Sequence, residues 1–161
     1  MVTELVDQLS RSPTGTTIVA VSPNVSEPDA EYLHRVAGEC VNLVANQYGQ
    51  QLEWSPGSLS TLDEVCAELL ADGPLTSERF DLWWRLIGAY TGEVTIMAYA
   101  GTWVSHESSP GAPAVSVLGV TGFPFSLAAR VLDGEPYKSL ASFARALPEV
   151  ARRSATPDDL A

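Results

Sequence analysis

The stretch "LIGAYTGEVTIMAYAGTWV", residues 86–104, is the least polar part of the chain and holds a single charged residue, Glu93. The helical spacing of apolar residues before it stops at Gly92, and glycine suits the left-handed conformation that ends a helix. Residues 93–99 then alternate between two faces, so we predict a strand there, followed by a turn at "AG" and a second strand over residues 102–108. This stretch therefore predicts a change from helix to sheet.

The rest of the chain places helices on both sides of this stretch. Residues 1–10 have the spacing of a short helix, residues 16–22 are typical of a strand, and residues 114–120 are typical of a third strand of the sheet. The residues suited to begin the other helices are Ser26, Ser60, either Thr76 or Ser77, Pro124 and Ser139. Helices, a small antiparallel meander of three or four strands, and further helices together predict an α+β fold.

The length of 161 residues is that of one domain. We predict a single α+β domain over residues 1–153 and a disordered tail over residues 154–161, "SATPDDLA". No apolar run approaches the length of a membrane span, and the first residues lack the basic start of a secretory signal. We therefore expect a cytoplasmic protein.

The net charge of −11 comes from 20 acidic residues against nine basic ones. This charge repels phosphate, which disfavours nucleic-acid partners and anionic membranes. It serves solubility, and it also suits a basic protein partner. The densest acidic region contains Asp63, Glu64 and Glu68, and we assign these to an acidic interaction face. Trp84 joins that face because it points about 100° away from Trp83 on the same helix.

Catalytic and metal-binding motifs are absent from the sequence. There is no phosphate-binding glycine loop and no nucleophile elbow. The two histidines, His34 and His106, have no metal-ligand spacing, and we expect His34 at the surface or edge of its helix. Cys40 and Cys66 fall inside helical apolar patterns, so we predict buried thiols. We expect no catalytic residue, no metal and no cofactor.

Glu93 is a charged residue in an unfavourable position, because a carboxylate at the predicted helix end opposes the helix dipole. Burial costs further free energy unless the charge is paired. We therefore predict a definite partner, either Arg85, Arg130 or a set of backbone N–H groups. Glu93 is then a structural ion pair, a contact to a ligand or partner, or an acid or base, and the sequence leaves these interpretations open.

"GAYTGEV" followed by "GTW" forms a G-x-Y-x-G-E…G-x-W signature, and "LEWSPGSLSTLDEV" precedes it. With the later P-x-x-x-x-x-R-V-L-D-G pattern, residues 50–145 resemble a family of uncharacterised bacterial single-domain proteins, particularly from actinobacteria. Glu53 stands where that family more often has Asp. The resemblance implies an α+β domain and brings no established activity. It makes one set of residues candidates for binding a ligand or partner: Glu53, Trp54, Tyr90, Glu93 and Trp103.

These observations predict a non-enzymatic protein-binding module, comparable to immunity or antitoxin proteins, that contacts a basic partner through its acidic face. The alternative is a small-molecule-binding or hydrolytic pocket around Glu53 and Glu93. In that alternative, two carboxylates and three aromatic rings line one pocket; the same residues also fit a core of aromatic rings with two satisfied acids. A homo-oligomeric structural protein is the third hypothesis.

Overall fold

The computed structural model describes residues 28–109 and 111–155. Within these residues it contains five helices and three strands, which confirms the predicted α+β class. In chain order they are α1 Ala30–Tyr48, α2 Ser58–Leu69, α3 Ser77–Tyr99, β1 Thr102–Val104, β2 Ala114–Val117, β3 Val120–Gly122, α4 Pro124–Leu132 and α5 Leu140–Ala155. The predicted helix over residues 1–10 and strand over residues 16–22 lie outside the described residues.

The strand predicted over residues 93–99 is wrong, because α3 continues through it. The helix ends at Tyr99; the next residue, Ala100, has a left-handed φ of 56° and donates its N–H to the carbonyl of Ile96. The residues from Thr91 to Thr95 are all buried, since α1, α4 and β2 all pack around α3. A helix buried on every side has no amphipathic period. Without that period, the alternation of apolar residues over 93–99 led to the wrong prediction of a strand.

The sheet is built from shorter segments than predicted. It contains three antiparallel strands in the order β1-β2-β3. The segment predicted as one strand over residues 114–120 divides at Leu118 and Gly119, whose φ values of 53° and 81° fit the tight turn of a two-residue hairpin. Trp103 pairs with Val115, which pairs in turn with Gly122. The sheet thus has three strands, but they are not the three predicted ones: residues 93–99 are helical, the strand predicted over 102–108 ends at Val104, and the strand predicted over 114–120 forms both β2 and β3.

The first residues of the helices were predicted correctly for three of the five helices. The side chain of Asp29, rather than Ser26, caps α1. The second helix begins at Ser58, two residues before the predicted Ser60 cap, directly after a turn at Pro56 and Gly57. The other predicted starts are confirmed: Thr76 caps α3, Pro124 opens α4, and the side chain of Ser139 accepts from the N–H of Ser142 at the start of α5.

The five helices share one main core, and a smaller cluster of Val115, Val117 and Leu147 lies between the sheet and α5. Both cysteines are free and buried, as predicted. The last helix runs to Ala155, so the first two residues of the predicted tail are helical; residues 156–161 lie outside the described residues. In the described part of the chain, no helix has the length and apolar character needed to cross a membrane.

Candidate functional site

Glu93 lies near the C-terminal end of the buried part of α3, with only 7% of its surface exposed. One carboxylate oxygen, Oε1, is 2.8 Å from Nδ1 of His34 on α1. The other, Oε2, accepts a hydrogen bond of 2.7 Å from the indole Nε1–H of Trp103 on β1. The expected arginine partners, Arg85 and Arg130, are therefore replaced by an imidazole and an indole. The carboxylate joins α1, α3 and β1.

Glycine in α3 makes room for these contacts. A Cβ atom on Gly92 would lie 2.0 Å from Cη2 of Trp103, so only glycine lets the indole lie against the helix backbone beside Glu93. One turn earlier, a Cβ atom on Gly88 would lie 2.2 Å from the ring of Phe125. The predicted role of Gly92, ending the helix, is wrong. Both glycines instead permit close approach of an aromatic ring to α3.

The imidazole of His34 is held in one orientation although 60% of its side chain is exposed. A carboxylate accepts hydrogen bonds, so Nδ1 carries the proton that is shared with Glu93. The ring also stacks on Trp54, with 5.4 Å between centroids and 26° between planes. No hydrogen bond from the described residues reaches Nε2. This nitrogen therefore presents a fixed hydrogen-bonding atom at the surface.

Trp54 is held in an unusual backbone conformation, with a φ of 59°. Such values cost free energy for a bulky residue and persist where neighbouring contacts hold them. The Trp54 N–H donates to the hydroxyl oxygen of Tyr90 at 3.0 Å. The Ser58 hydroxyl donates to the carbonyl of Ser55 at 2.6 Å, so the Tyr90 O–H must donate to Ser58 Oγ, which lies 2.6 Å away.

This arrangement requires a protonated Tyr90. Burial is the largest cause that raises the pKa of its hydroxyl above the usual value of 10.0, against the lowering effect of the hydrogen-bonded neighbours Ser58 and Trp54. The exposed Glu53 adds a small effect in the raising direction. The chain of hydrogen bonds thus fixes the backbone of Trp54. Its indole packs on the ring of Tyr90, with 5.2 Å between centroids, and supports the imidazole of His34.

Four of the five residues singled out by the signature therefore meet in one cluster: Trp54, Tyr90, Glu93 and Trp103. Glu53 is exposed beside it and enters no hydrogen bond within the described residues. The sequence did not identify His34, which lies 59 residues from Glu93 and joins the two halves of the cluster. The available signal was that a buried Glu93 needed a partner, and a histidine was not considered.

The residues assigned to the acidic face separate into two kinds. The carboxylate of Asp63 is half-buried and accepts from the N–H of Leu140 at 2.8 Å, the N–H of Ala141 at 3.2 Å and the hydroxyl of Ser139 at 2.7 Å. It caps α5, which also gains from a negative charge at its N-terminus. Asp63 therefore holds α5 against α2.

The other members of this set differ in their contacts. Trp84 is half-buried, packs against Phe125 with 5.0 Å between ring centroids and 58° between ring planes, and donates its Nε1–H to the carbonyl of Phe125 at 2.9 Å. Glu64 and Glu68 are exposed on α2. Only these two of the four assigned residues therefore present an unoccupied polar group to solvent.

The Glu93 cluster can supply hydrogen bonds, aromatic contact and a proton acceptor at Nε2 of His34. No serine, cysteine or lysine among the described residues is hydrogen-bonded to His34, so a nucleophile activated by this imidazole is not present there. The described residues also contain no group of three or more side chains that could hold a metal ion. The cluster orients the imidazole of His34, with Nδ1–H directed to Glu93 and Nε2 at the surface.

Comparison with protein-family models, curated proteins and solved structures found no match to this chain. The resemblance to the bacterial family with the G-x-Y-x-G-E…G-x-W signature therefore stays a prediction.

Proposed function

We propose that this chain is a cytoplasmic, non-enzymatic protein-binding module whose contact surface is centred on His34 and Trp54. The observation that carries the proposal is the exposed imidazole of His34, fixed by a buried carboxylate and stacked on an indole. A side chain that is rigid before binding loses little conformational entropy in a complex. Aromatic anchors of this kind dominate the binding energy of protein interfaces.

The exposure of the imidazole favours a macromolecular partner over a small molecule. Small ligands bind in concave pockets that enclose most of the ligand, whereas the His34 side chain is 60% exposed at the surface of α1. A protein partner can cover such a surface as a whole. With Nδ1–H directed to Glu93, a neutral His34 offers Nε2 as an acceptor, which suits an N–H or O–H donor of the partner.

The charge of the chain favours a basic partner. The net charge is −11, and two exposed carboxylates flank the proposed surface. Glu31 lies one turn before His34 on α1, so the two share a face, and Glu53 precedes Trp54. A lysine or arginine of the partner could donate to Nε2 and remain near these carboxylates. Association should accordingly weaken as salt rises.

The test is quantitative capture from lysate of the native host, comparing wild type with His34→Ala and Glu93→Gln. A Gln47→Ala variant is the matched control, since Gln47 is exposed on α1 but lies on another face. We expect a basic protein that binds wild type and the control equally, elutes as salt rises, and is reduced about tenfold or more by His34→Ala. Equal capture by wild type and His34→Ala at matched folding would remove the proposal.

A second contact surface is supported by the exposed Glu64 and Glu68. Neither enters a salt bridge within the described residues, so both charges remain available to a basic partner. The double substitution Glu64→Lys with Glu68→Lys tests this surface. Asp63 is left unchanged, because its substitution would release α5 and confuse unfolding with lost binding. Capture lost in this variant and kept in His34→Ala would move the interface to α2.

The alternative of a small-molecule-binding or hydrolytic pocket around Glu53 and Glu93 keeps one supporting observation. An imidazole whose Nδ1 is held by a carboxylate can accept a proton from water at Nε2. A thermal-shift screen of metabolites against wild type and Glu93→Gln distinguishes this function. A ligand that stabilises wild type but not Glu93→Gln would favour the alternative over a protein partner.

A further inference from the structure

A groove with a volume of about 400 Å³ lies between β3, α4 and α5. This volume is within the range of about 300–1,000 Å³ that is typical of small-molecule sites. None of the residues that line it belongs to the hydrogen-bonded cluster around Glu93. Its apolar lining is formed mainly by Val120, Phe123, Leu127, Phe143, Leu147 and Val150.

The lining is part of the packed structure. Leu147 belongs to the smaller core cluster under the sheet, and Phe143 packs against that cluster. Gly122 lets the Phe143 ring approach, since a Cβ atom there would lie 2.8 Å from Cζ of that ring. Val150 is 44% exposed at the edge of the groove. The apolar surface is therefore fixed in shape and still open to solvent.

Two cations line the same groove. Arg130 belongs to the last turn of α4, and Lys138 lies between α4 and α5. Lys138 is the only lysine of the chain, in which 20 acidic residues face nine basic ones. The salt bridges of the described residues include neither cation, although the exposed Asp133 and Glu135 are close in sequence. An acidic protein thus places two positive charges, neither of them in a salt bridge with another described residue, beside an apolar groove.

We propose that this groove binds a free amphipathic carboxylate, of the class of medium-chain fatty acids. Its chain lies against the apolar lining, and its carboxylate lies at Arg130 and Lys138. Charge complementarity selects this occupant, because a cationic amphiphile is repelled and a neutral one leaves both cations unpaired. An anionic membrane surface is disfavoured as the source by the net charge of −11.

The first experiment is calorimetric titration of the full chain with decanoate below its micellar concentration. We expect one site per chain. Shortening the chain to octanoate and hexanoate should weaken binding by up to about fourfold per methylene, the factor for complete burial of each group. Decanol, which has the same chain without the charge, should bind about tenfold more weakly or worse.

Variants locate the headgroup. Arg130→Gln with Lys138→Gln changes two exposed side chains, so the fold should be kept while decanoate affinity falls to that of decanol. Arg145→Gln is the matched control, because Arg145 is exposed on α5 but does not line the groove. It removes the same type of charge and should leave affinity unchanged. Val150→Glu places a carboxylate at the edge of the groove and should also weaken binding.

Four outcomes would overturn the proposal. They are no binding of decanoate, equal binding of decanoate and decanol, equal loss in the Arg145→Gln control, and an affinity unchanged by the substitutions at Arg130 and Lys138.

Two other occupants of the groove are checked in parallel. Binding to anionic phospholipid vesicles without binding of free decanoate would assign the groove to a membrane. A wild-type dimer in sedimentation that the Val150→Glu variant dissociates would assign it to a second copy.

Discussion

At the scale of the residue, Glu93 combines a structural contact with an exposed functional group. Its carboxylate satisfies the Trp103 indole, which would otherwise lack a partner, and holds the His34 imidazole. A hydrophobic residue in this place would bury easily but would leave a donor unpaired. The interpretation of Glu93 as a structural pin and its interpretation as a binding contact are therefore compatible, and substitutions can separate them.

Glu93→Gln should keep the fold and reverse the tautomer of His34. The amide oxygen still accepts from Trp103, while the amide N–H₂ faces His34 Nδ1, which must become an acceptor and move its proton to Nε2. We expect the free energy of unfolding to change by less than about 1.5 kcal/mol, because one acceptor and both contacts remain. Urea unfolding measures the stability, and nitrogen chemical shifts of the imidazole report the tautomer.

The comparison variant is Glu93→Leu, which removes both acceptors. It leaves the Trp103 N–H without a partner, at a cost of about 1–3 kcal/mol, and frees His34. If Glu93→Gln destabilises the protein as much as Glu93→Leu, the carboxylate charge itself holds the three elements together. That result would contradict the prediction that Glu93→Gln keeps the fold and changes only the tautomer of His34.

At the scale of the element, α3 depends on glycine to pack rings against its backbone. Gly92→Ala should lower the free energy of unfolding by about 1–3 kcal/mol, because the new methyl group overlaps the Trp103 ring. Gly38→Ala in α1 is the matched control: nothing lies within 4 Å of its added Cβ atom, so helix propensity should stabilise the protein by up to about 1 kcal/mol. Chemical denaturation measures both, and the same sign for the two substitutions would contradict this account.

The start of α5 depends on a carboxylate from α2. Asp63→Ala removes the acceptor of two backbone N–H groups and one hydroxyl, so we expect a loss of about 1–3 kcal/mol in the free energy of unfolding. Glu64→Ala, one residue along and exposed, should stay within about 0.5 kcal/mol of wild type. Urea titration followed by circular dichroism checks both. A neutral Asp63→Ala would mean that Ser139 caps α5 alone.

The same elements show how far the sequence could predict the fold. Helices with one exposed face, such as α4 and α5, were placed from their apolar period and their first residues. The middle of α3 was not, since neighbours on all sides remove that period. The divided strand at Leu118 and Gly119 lacks the Asn-Gly signal of a tight hairpin. In the site, the need of Glu93 for a partner was predictable, whereas the approach of His34 depends on the packing of α1 on α3.

At the scale of the whole molecule, ionisable groups buried in the core lower the free energy of unfolding as the pH becomes alkaline. Burial is the main cause that raises the pKa of the Cys66 thiol from 9.0 to about 12, and it raises the pKa of Cys40 as well. Burial likewise raises the pKa of the Tyr90 hydroxyl. Each group stays protonated in the folded chain at pH values where the unfolded chain ionises. The folded state therefore binds more protons than the unfolded state in this range.

The sign of the dependence follows from that difference in bound protons. The stability from these groups is complete below about pH 9, where both states are protonated, and it falls as pH rises from there towards the folded pKa, near 12 for Cys66. Each thiol can contribute a fall of about 1.4 kcal/mol per pH unit within this window.

Unfolding in urea at pH 7, 8.5 and 10 (about 1.5 units apart, spanning the unfolded thiol pKa) measures this fall in the free energy of unfolding. Cys66→Ala should make the slope shallower by up to about 1.4 kcal/mol per pH unit, because one of the titrating thiols is gone. A slope equal to that of wild type in Cys66→Ala, or rapid reaction of the native thiols with a disulfide reagent at neutral pH, would contradict a protonated core.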